Sequence, residues 1–325
     1  AGVVREACKW DYELRFPEQI NDVIDRAHGI ACSSPKGPVY ISLPREVLCE
    51  TIPEEGSARR PQMQPSQVAS LRADLERAAD ILAEAKHPVI FAQRGAGNER
   101  AFATLAELAE EWGIPVCQYW AVQLALPTDH PMAAGPDPKP LLEKADAILV
   151  IDSLAPWSPA EMEPSENAFV IQIGADPLHA RTAVRNFRSD LSLVGDAGST
   201  ILALKALLDA RMSGHRARNE ERAATVGRTN ALARNARLDA IRKRRDAPQL
   251  TKAWVSYSLS EALRGTKAAV FNELGVQMHA MHLDHPKAWF DGPHSGGLGW
   301  AFPAALGFKM ADPERPVIAA MGDGS

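Results

Sequence analysis

Short apolar runs separated by helix-like patterns are the feature that most constrains the fold of this 325-residue chain. The clearest runs are Pro88–Ala92, Ala147–Ile151 and 168–173, which are almost wholly apolar and rich in β-branched residues. A strand without polar alternation has both faces covered, as in parallel sheets. The helical patterns between the runs would supply that cover. The sequence therefore predicts an α/β fold of successive parallel-sheet, three-layer domains.

Composition and pattern divide the chain into five segments. The chain starts with Ala1 instead of Met, and it stops directly after a predicted strand. Because a sheet left without its covering helix cannot bury that face, we expect the first and last α/β units to be incomplete. The segments are an α/β unit at 1–50, a Pro- and Ser-rich linker at 51–70, an α/β domain at 71–210, a basic linker helix at 211–250 and the start of another α/β domain at 251–325.

Charge and cysteine usage narrow the class of protein. The formal net charge is −5, which gives no electrostatic argument for nucleic acid as a partner. The basic run 242–245 lacks interleaved aromatic residues, so a solvated linker helix is favoured over a nucleic-acid site. The cysteines are widely spaced and form no CxxC motif, and no apolar run suits a signal peptide or a membrane span. These features favour a cytoplasmic protein with free thiols and no membrane partner.

The final residues combine glycines with a carboxylate at a strand end. The apolar run 317–321 predicts a buried strand, and Gly322-Asp323-Gly324-Ser325 follow it. Glycines let the backbone approach a bulky anion, and ligands of open α/β sheets bind at the carboxyl ends of strands. The carboxylate of Asp323 is a hard ligand suited to Mg²⁺ or Ca²⁺. A tight turn with a helix-capping Asp is the alternative for these residues alone, but the glycine cluster that begins at Gly296 and the small-residue helix at 302–310 favour an anion site.

Two of these segments carry a resemblance to a known family. GGLGWAFPAALG and PERPVIAAMGDGS are similar to the diphosphate-binding domain of thiamine-diphosphate (ThDP) enzymes, nearest to the acetolactate synthase and benzoylformate decarboxylase group. RAHGIACSSPKGPVYISLPREV resembles the end of the pyrimidine-binding domain of the same enzymes. The resemblance implies that 1–50 is the C-terminal part of a pyrimidine-binding domain, 71–210 a central domain and 251–325 the N-terminal part of a diphosphate-binding domain.

The resemblance also implies a set of site residues. It places Mg²⁺ on Asp323 and the aminopyrimidine on the carbonyl of Gly296. Leu298 takes the position of the side chain that wedges between the two cofactor rings, with ordinary core packing as the alternative. The whole cofactor-binding set is Gly275, Val276, Gly296, Gly297, Leu298, Gly322, Asp323, Gly324 and Ser325.

Other parts of the family site have no counterpart in these residues. By resemblance, the glutamate that activates the pyrimidine lies before Ala1, and the asparagine that completes the metal site lies after Ser325. We therefore name no catalytic residue, and we expect residues 1–325 alone to be inactive. Ser158-Pro159 stand where benzoylformate decarboxylase has an active-site histidine, which leaves acetolactate synthase-like carboligation and 2-oxo acid decarboxylation both open. His279 and His282, on the expected cofactor side, are candidates to face the substrate.

Two other functions remain as alternatives. Gly95-Ala96-Gly97 follows a strand, as in a dinucleotide site, but Arg100 stands where the third glycine of that motif would be. Asp176 could bind a ribose or simply form a turn with the following proline. A flavin- or nicotinamide-dependent oxidoreductase is therefore one alternative, with FAD open but not favoured, and a non-catalytic paralogue is the other. The resemblance further implies a homodimer or homotetramer acting on a small 2-oxo acid.

Overall fold

Three parallel sheets and their helices make up the computed structural model, which describes residues 2–52 and 62–325. Residues 53–61 of the predicted linker at 51–70 lie outside the described part of the chain. The ten strands are β1 (Trp10–Glu13), β2 (Val39–Ser42), β3 (Pro88–Ala92), β4 (Val116–Cys117), β5 (Ala147–Ile151), β6 (Phe169–Gly174), β7 (Leu191–Val194), β8 (Ala269–Asn272), β9 (Trp289–Asp291) and β10 (Val317–Ala320). The nine α-helices found in these two ranges are α1 (Ile20–Cys32), α2 (Arg45–Leu48), α3 (Arg72–Glu84), α4 (Glu99–Glu111), α5 (Lys139–Leu142), α6 (Ala197–Asp209), α7 (Arg216–Arg242), α8 (Lys252–Ala262) and α9 (Ala301–Ala311).

The predicted α/β class is confirmed, because every strand pair in the sheets is parallel. The central sheet has the order β4-β3-β5-β6-β7. Alternate residues of β3 and β5 enter two different cores, as the two-residue period of a strand requires. Ile90 and Leu149 pack beneath α3, α4 and α6, whereas Phe91 and Val150 pack against Trp157. The second face of the central sheet is covered by the short α5 and by irregular segments. The helical layer on that face is therefore smaller than the layer that α3, α4 and α6 form on the other face.

The sheet near the end of the chain has the order β10-β8-β9. Helix α9 lies on β8 and β10, and its small residues Ala301 and Ala305 allow a close approach to Phe271. The sequence predicted β10 and α9 to within about one residue at each end, but β9 was not predicted. Each of the three sheets draws its strands from one of the predicted α/β segments, and the domain limits remain a prediction.

The basic segment 211–250 forms the 27-residue helix α7. Some of its arginines bind backbone carbonyls: Arg222 donates to the carbonyl oxygen of Ala85 at 2.8 Å and to that of Trp112. Arg218 donates to the carbonyl of Ala83 in the same way. These carbonyls lie at or beside the ends of α3 and α4, where helices leave acceptors unsatisfied. The helix is therefore attached to the central domain through its arginines.

The cysteines and the helices agree with the compositional predictions. Cys8, Cys32, Cys49 and Cys117 are all free thiols. Within 2–52 and 62–325, no helix combines the length and the apolar character needed to cross a membrane.

Candidate functional site

Two neighbouring strands bring the predicted site residues to one edge of the sheet. β8 and β10 pair in parallel with Asn272 opposite Ala320, so both end at the same level. The backbone N–H of Glu273 then donates to the carbonyl oxygen of Ala320 at 2.7 Å. The loops that begin at Glu273 and Met321 therefore leave the sheet side by side, at the carboxyl ends of strands where open α/β sheets bind ligands.

The loop after β8 has no room for a side chain at Gly275. A Cβ atom there would lie 2.9 Å from the carbonyl carbon of Ala320 and 3.0 Å from its oxygen. Glycine thus allows this loop to lie directly on the end of β10. The N–H of the next residue, Val276, donates to the Asn272 side-chain oxygen at 2.7 Å, and Val276 is buried. Its amide is already bonded within the protein, so Gly275 is the better placed of the two to meet an anion.

The glycine cluster forms an open loop before α9. Gly296 and Gly299 have φ angles of 69° and 80°, which favour glycine. A Cβ at Gly296 or Gly297 would touch nothing in the described residues, so the loop surface is free for a ligand. Leu298 projects from it with 75% of its surface exposed. This exposure does not fit core packing, the alternative considered for Leu298, and leaves the apolar side chain free to contact a ligand.

Glu273, at the end of β8, contacts both the glycine loop and the terminal turn, a role that the sequence did not reveal. Its carboxylate accepts hydrogen bonds from the N–H groups of Gly299 at 2.8 Å and Ala301 at 2.9 Å. Amide donation from Ala301 and then Gly299 holds the pKa of Glu273 below its ordinary value, and the Ser325 hydroxyl lowers it further. The carboxylate also replaces the side-chain cap that α9 lacks and complements the positive end of its dipole. An acidic residue directly after an apolar run was the only signal in the sequence.

The Gly322–Ser325 turn leaves the Asp323 carboxylate available. The N–H of Ser325 donates to the carbonyl of Gly322 at 3.2 Å, which closes the turn. Asp323 is exposed, and it has no hydrogen bond or ion pair with any described residue. An unpaired hard oxygen at a strand end fits a Mg²⁺ ligand. No group of three or more His, Cys, Asp or Glu side chains that could hold a metal ion occurs in the described ranges.

The structure therefore brings together all the predicted cofactor-binding residues around the ends of β8 and β10, but their roles remain predictions.

His279 and His282, the two candidates to face the substrate, have different surroundings. His282 lies between two carboxylates, 3.2 Å from Asp129 and 3.5 Å from Asp284. Burial lowers the pKa of His279 to about 4, with Arg237 adding to the effect, and His279 lines a cleft beside the site.

The glycines of the Gly95-Ala96-Gly97 loop have a packing role. Gly97 has a φ angle of 91°, and a Cβ there would lie 2.6 Å from the backbone nitrogen of Gly198 at the start of α6. Gly198 in turn has no room for a Cβ beside the side chain of Asn98. The motif is therefore explained by the close contact of this loop with α6, without a dinucleotide.

Polar groups at the carboxyl edge of the central sheet bind other protein groups. Asp176 accepts a hydrogen bond from the N–H of Ala180 at 2.8 Å, so it forms the turn that the sequence offered as one alternative. Arg94 lies 3.7 Å from Asp152 across the ends of β3 and β5. Burial raises the pKa of Asp152, and the positive charge of Arg94 opposes that change. Nothing in this arrangement requires a flavin.

Two family models match the chain. "Thiamine pyrophosphate enzyme, central domain" matches residues 75–204, and "Thiamine pyrophosphate enzyme, C-terminal TPP binding domain" matches residues 274–325. Together these ranges cover more than half of the chain. The second range contains Gly275, the glycine cluster and the terminal turn, which are the three loops that the structure brings together.

Individual proteins show the same similarity over nearly the whole chain. The acetolactate synthase isozyme 3 large subunit of Escherichia coli (strain K12) is 26% identical over 100% of this chain and 58% of its own length. A probable 2-ketoarginine decarboxylase of Pseudomonas aeruginosa is 29% identical over 95% of this chain and 54% of its own. An X-ray structure from Mycobacterium smegmatis, assigned as a thiamin diphosphate-dependent enzyme, superposes with a TM-score of 0.73 at 26% identity, covering 98% of this chain and 60% of that one. The chain thus spans little more than half the length of these relatives.

Proposed function

Because the chain belongs to the thiamine pyrophosphate enzymes, we propose that it is part of a ThDP- and Mg²⁺-dependent enzyme that makes or breaks a C–C bond in 2-oxo acids. The relatives include an acetolactate synthase and a probable decarboxylase, so acetolactate synthase-like carboligation and decarboxylation are the two reactions to test. The observation that carries the proposal is the meeting of Gly275, the glycine cluster and an unpaired Asp323 at the ends of two paired strands.

The residues of this chain would bind and orient the cofactor. Asp323 would hold Mg²⁺ against the diphosphate, while Gly275, Gly322, Gly324 and Ser325 would let phosphate oxygens approach the backbone. Bound ThDP supplies a carbanion that attacks a carbonyl carbon and then stores its electrons. Because Leu298 is 75% exposed beside two unobstructed glycines, it can pack against the cofactor without disturbing the protein core.

Glu273 fixes the relative position of the loops. Its two hydrogen bonds hold the glycine loop and the start of α9 against the end of β8. Holding groups in place before the ligand binds lowers the entropic cost of binding and of reaction. The carboxylate is thus proposed as a positioning residue that never touches substrate.

Assembly, location and partners complete the proposal. We expect a cytoplasmic homodimer or homotetramer, which is implied by the family resemblance and is consistent with four free cysteines in a reducing compartment. We expect no nucleic-acid or membrane partner, and we expect residues 1–325 by themselves not to turn over substrate. The alternative of an oxidoreductase loses its main support because packing explains Gly97.

Turnover by the complete protein tests the proposal. A panel of 2-oxo acids with added ThDP and Mg²⁺ would be followed by NMR, which distinguishes released aldehyde from a carboligation product. We expect turnover that depends on added ThDP. Turnover that needs NAD(P) or FAD but no ThDP would support the oxidoreductase instead. A complete protein that binds ThDP yet turns over no 2-oxo acid would support the non-catalytic paralogue.

A further inference from the structure

A second cleft opens beside the predicted cofactor site. It lies between the last turns of α7, the segment that follows β4 and the loop that follows β8, and its volume is about 680 Å³. Its walls carry large apolar side chains, among them Trp120, Ile241, Met278 and Trp289. Cavities that bind small molecules have volumes of roughly 300–1,000 Å³ and similarly apolar walls with few polar groups. Size and lining therefore suit a small organic ligand.

One arginine in this cleft differs from its neighbours on the same helix. Arg218 and Arg222 donate to backbone carbonyls, and Arg234 donates to the carbonyl of Asp129 at 2.6 Å. Arg237 is also partly buried, but its side chain has no hydrogen-bond acceptor or ion-pair partner in the part of the chain that the structure describes. One of its terminal nitrogens lies over Gly135, where a Cβ would come within 2.7 Å of it. The guanidinium thus lies against the backbone of Gly135 without an acceptor in the described residues.

The other ionisable groups of the cleft do not neutralise this charge. Asp291 is bonded to the Asn272 side chain at 3.0 Å and to the N–H of Gly292 at 2.8 Å. His279 stays neutral at neutral pH, because burial and Arg237 lower its pKa to about 4. Arg244 adds a second positive charge at the cleft and forms no ion pair within 2–52 and 62–325. A partly buried cation without a partner is costly, and a bound anion would remove that cost.

We propose that this cleft binds a small organic anion with an apolar body, whose anionic group pairs with Arg237 and whose body packs against Trp120 and Met278. Arginine suits this role because its planar fork pairs with a carboxylate through two parallel hydrogen bonds. The inference does not depend on the proposed function, since the residues that carry it lie outside the set assigned to the cofactor. Val276 lines both regions, so a ligand in the cleft would adjoin the predicted cofactor site.

Binding of 3-phenylpropanoate to the complete protein tests the site. This probe has a carboxylate and an apolar ring but lacks the 2-oxo group, so ThDP chemistry cannot change it. Titration calorimetry, supported by the fluorescence of the 58% exposed Trp120, would give its dissociation constant. We expect binding by the wild type, at least about tenfold weaker binding by Arg237→Gln, and partial recovery in Arg237→Lys, which keeps the charge but not the fork.

Two controls separate the specific contact from general effects. Arg228→Gln removes the same charge from an exposed position of α7 and should leave the affinity unchanged. The neutral alcohol 3-phenylpropanol should bind weakly and with equal affinity to the wild type and to Arg237→Gln. The proposal is overturned if the wild type does not bind the acid at millimolar concentration, if the two glutamine variants bind it equally, or if the alcohol binds as tightly as the acid. Thermal melts confirm that each variant is folded.

A competition experiment shows whether the natural anion is the substrate or a separate effector. If 3-phenylpropanoate inhibits turnover competitively with the 2-oxo acid, the cleft holds part of the substrate. If it changes the rate without competing, the cleft holds a separate effector. Both results support an anion site at Arg237. Failure of the ThDP proposal would appear instead as missing ThDP binding with 3-phenylpropanoate affinity intact, so the two proposals can fail separately.

Discussion

The carboxylate of Glu273 accepts a hydrogen bond from the N–H of Gly299 at 2.8 Å, across 26 positions of the chain. A second bond from Ala301 fixes the start of α9 at the same point. The glycine loop is therefore held by a side chain at the end of β8, in addition to its own backbone bond from the N–H of Gly296 to the carbonyl of Pro293 at 2.9 Å.

Glu273→Gln should weaken ThDP binding. The amide keeps one acceptor oxygen, but its NH₂ group cannot accept from the second N–H, so one of the two loop contacts is lost. We expect a higher ThDP dissociation constant by calorimetry on the complete protein, and a larger increase for Glu273→Ala. Glu261→Gln, which removes an exposed carboxylate paired with Arg264, is the matched control. Equal ThDP affinities of Glu273→Gln and Glu261→Gln would contradict the positioning role of Glu273.

Leu298→Ala should lower turnover with little effect on stability. The side chain is 75% exposed, so truncation creates no cavity in the core. If Leu298 supports the bent cofactor, the catalytic rate constant falls while the melting temperature stays within the error. Leu232→Ala, at a 72% exposed position of α7, is the control and should change neither quantity. An unchanged rate for Leu298→Ala would contradict the wedge role.

Gly97→Ala should lower the free energy of unfolding by more than Gly265→Ala does. Both glycines have positive φ angles, of 91° and 75°, and alanine pays roughly 1–2 kcal/mol for that conformation. Only at Gly97 would the new Cβ also meet backbone, 2.6 Å from the nitrogen of Gly198, whereas Gly265 faces open space. Denaturant unfolding of the two variants measures the difference. Equal losses of unfolding free energy in the two variants would show that the contact with α6 does not require glycine at position 97.

His279 should make the protein sensitive to acid. Folding lowers its pKa from 6.5 to about 4, so the unfolded chain binds the proton more readily. The neutral histidine therefore stabilises the fold above about pH 6.5, and this contribution is lost as the pH falls toward 4. Between pH 7 and pH 5, the melting temperature of His279→Gln should fall less than that of the wild type, with His28→Gln at an exposed position as control. A melting temperature that falls as steeply in His279→Gln as in the wild type would contradict this assignment.

The sequence predicted those parts of the fold and the site that depend on local pattern. The fully buried strands β3 and β5 were found at their observed bounds, because short apolar runs have few other solutions. The three-residue β9 is defined by its neighbours in space, so no local pattern marks it. Asp323 and its flanking glycines were predicted from their own chemistry, and the other cofactor-binding residues from the family resemblance. The bridge made by Glu273 and the cleft at Arg237 join distant segments, and tertiary packing alone creates them.

Titration of ThDP into the complete protein, with and without Mg²⁺, measures whether Asp323 binds the metal that holds the diphosphate. Asp323 is exposed and unpaired, so Asp323→Asn should leave the fold intact while it removes the charge that would bind the metal. Asp312→Asn, at another exposed position near the end of α9, is the control. We expect Mg²⁺-dependent ThDP binding by the wild type and by Asp312→Asn, and its loss in Asp323→Asn. Equal, metal-independent binding by all three proteins, or binding by none, would contradict this expectation.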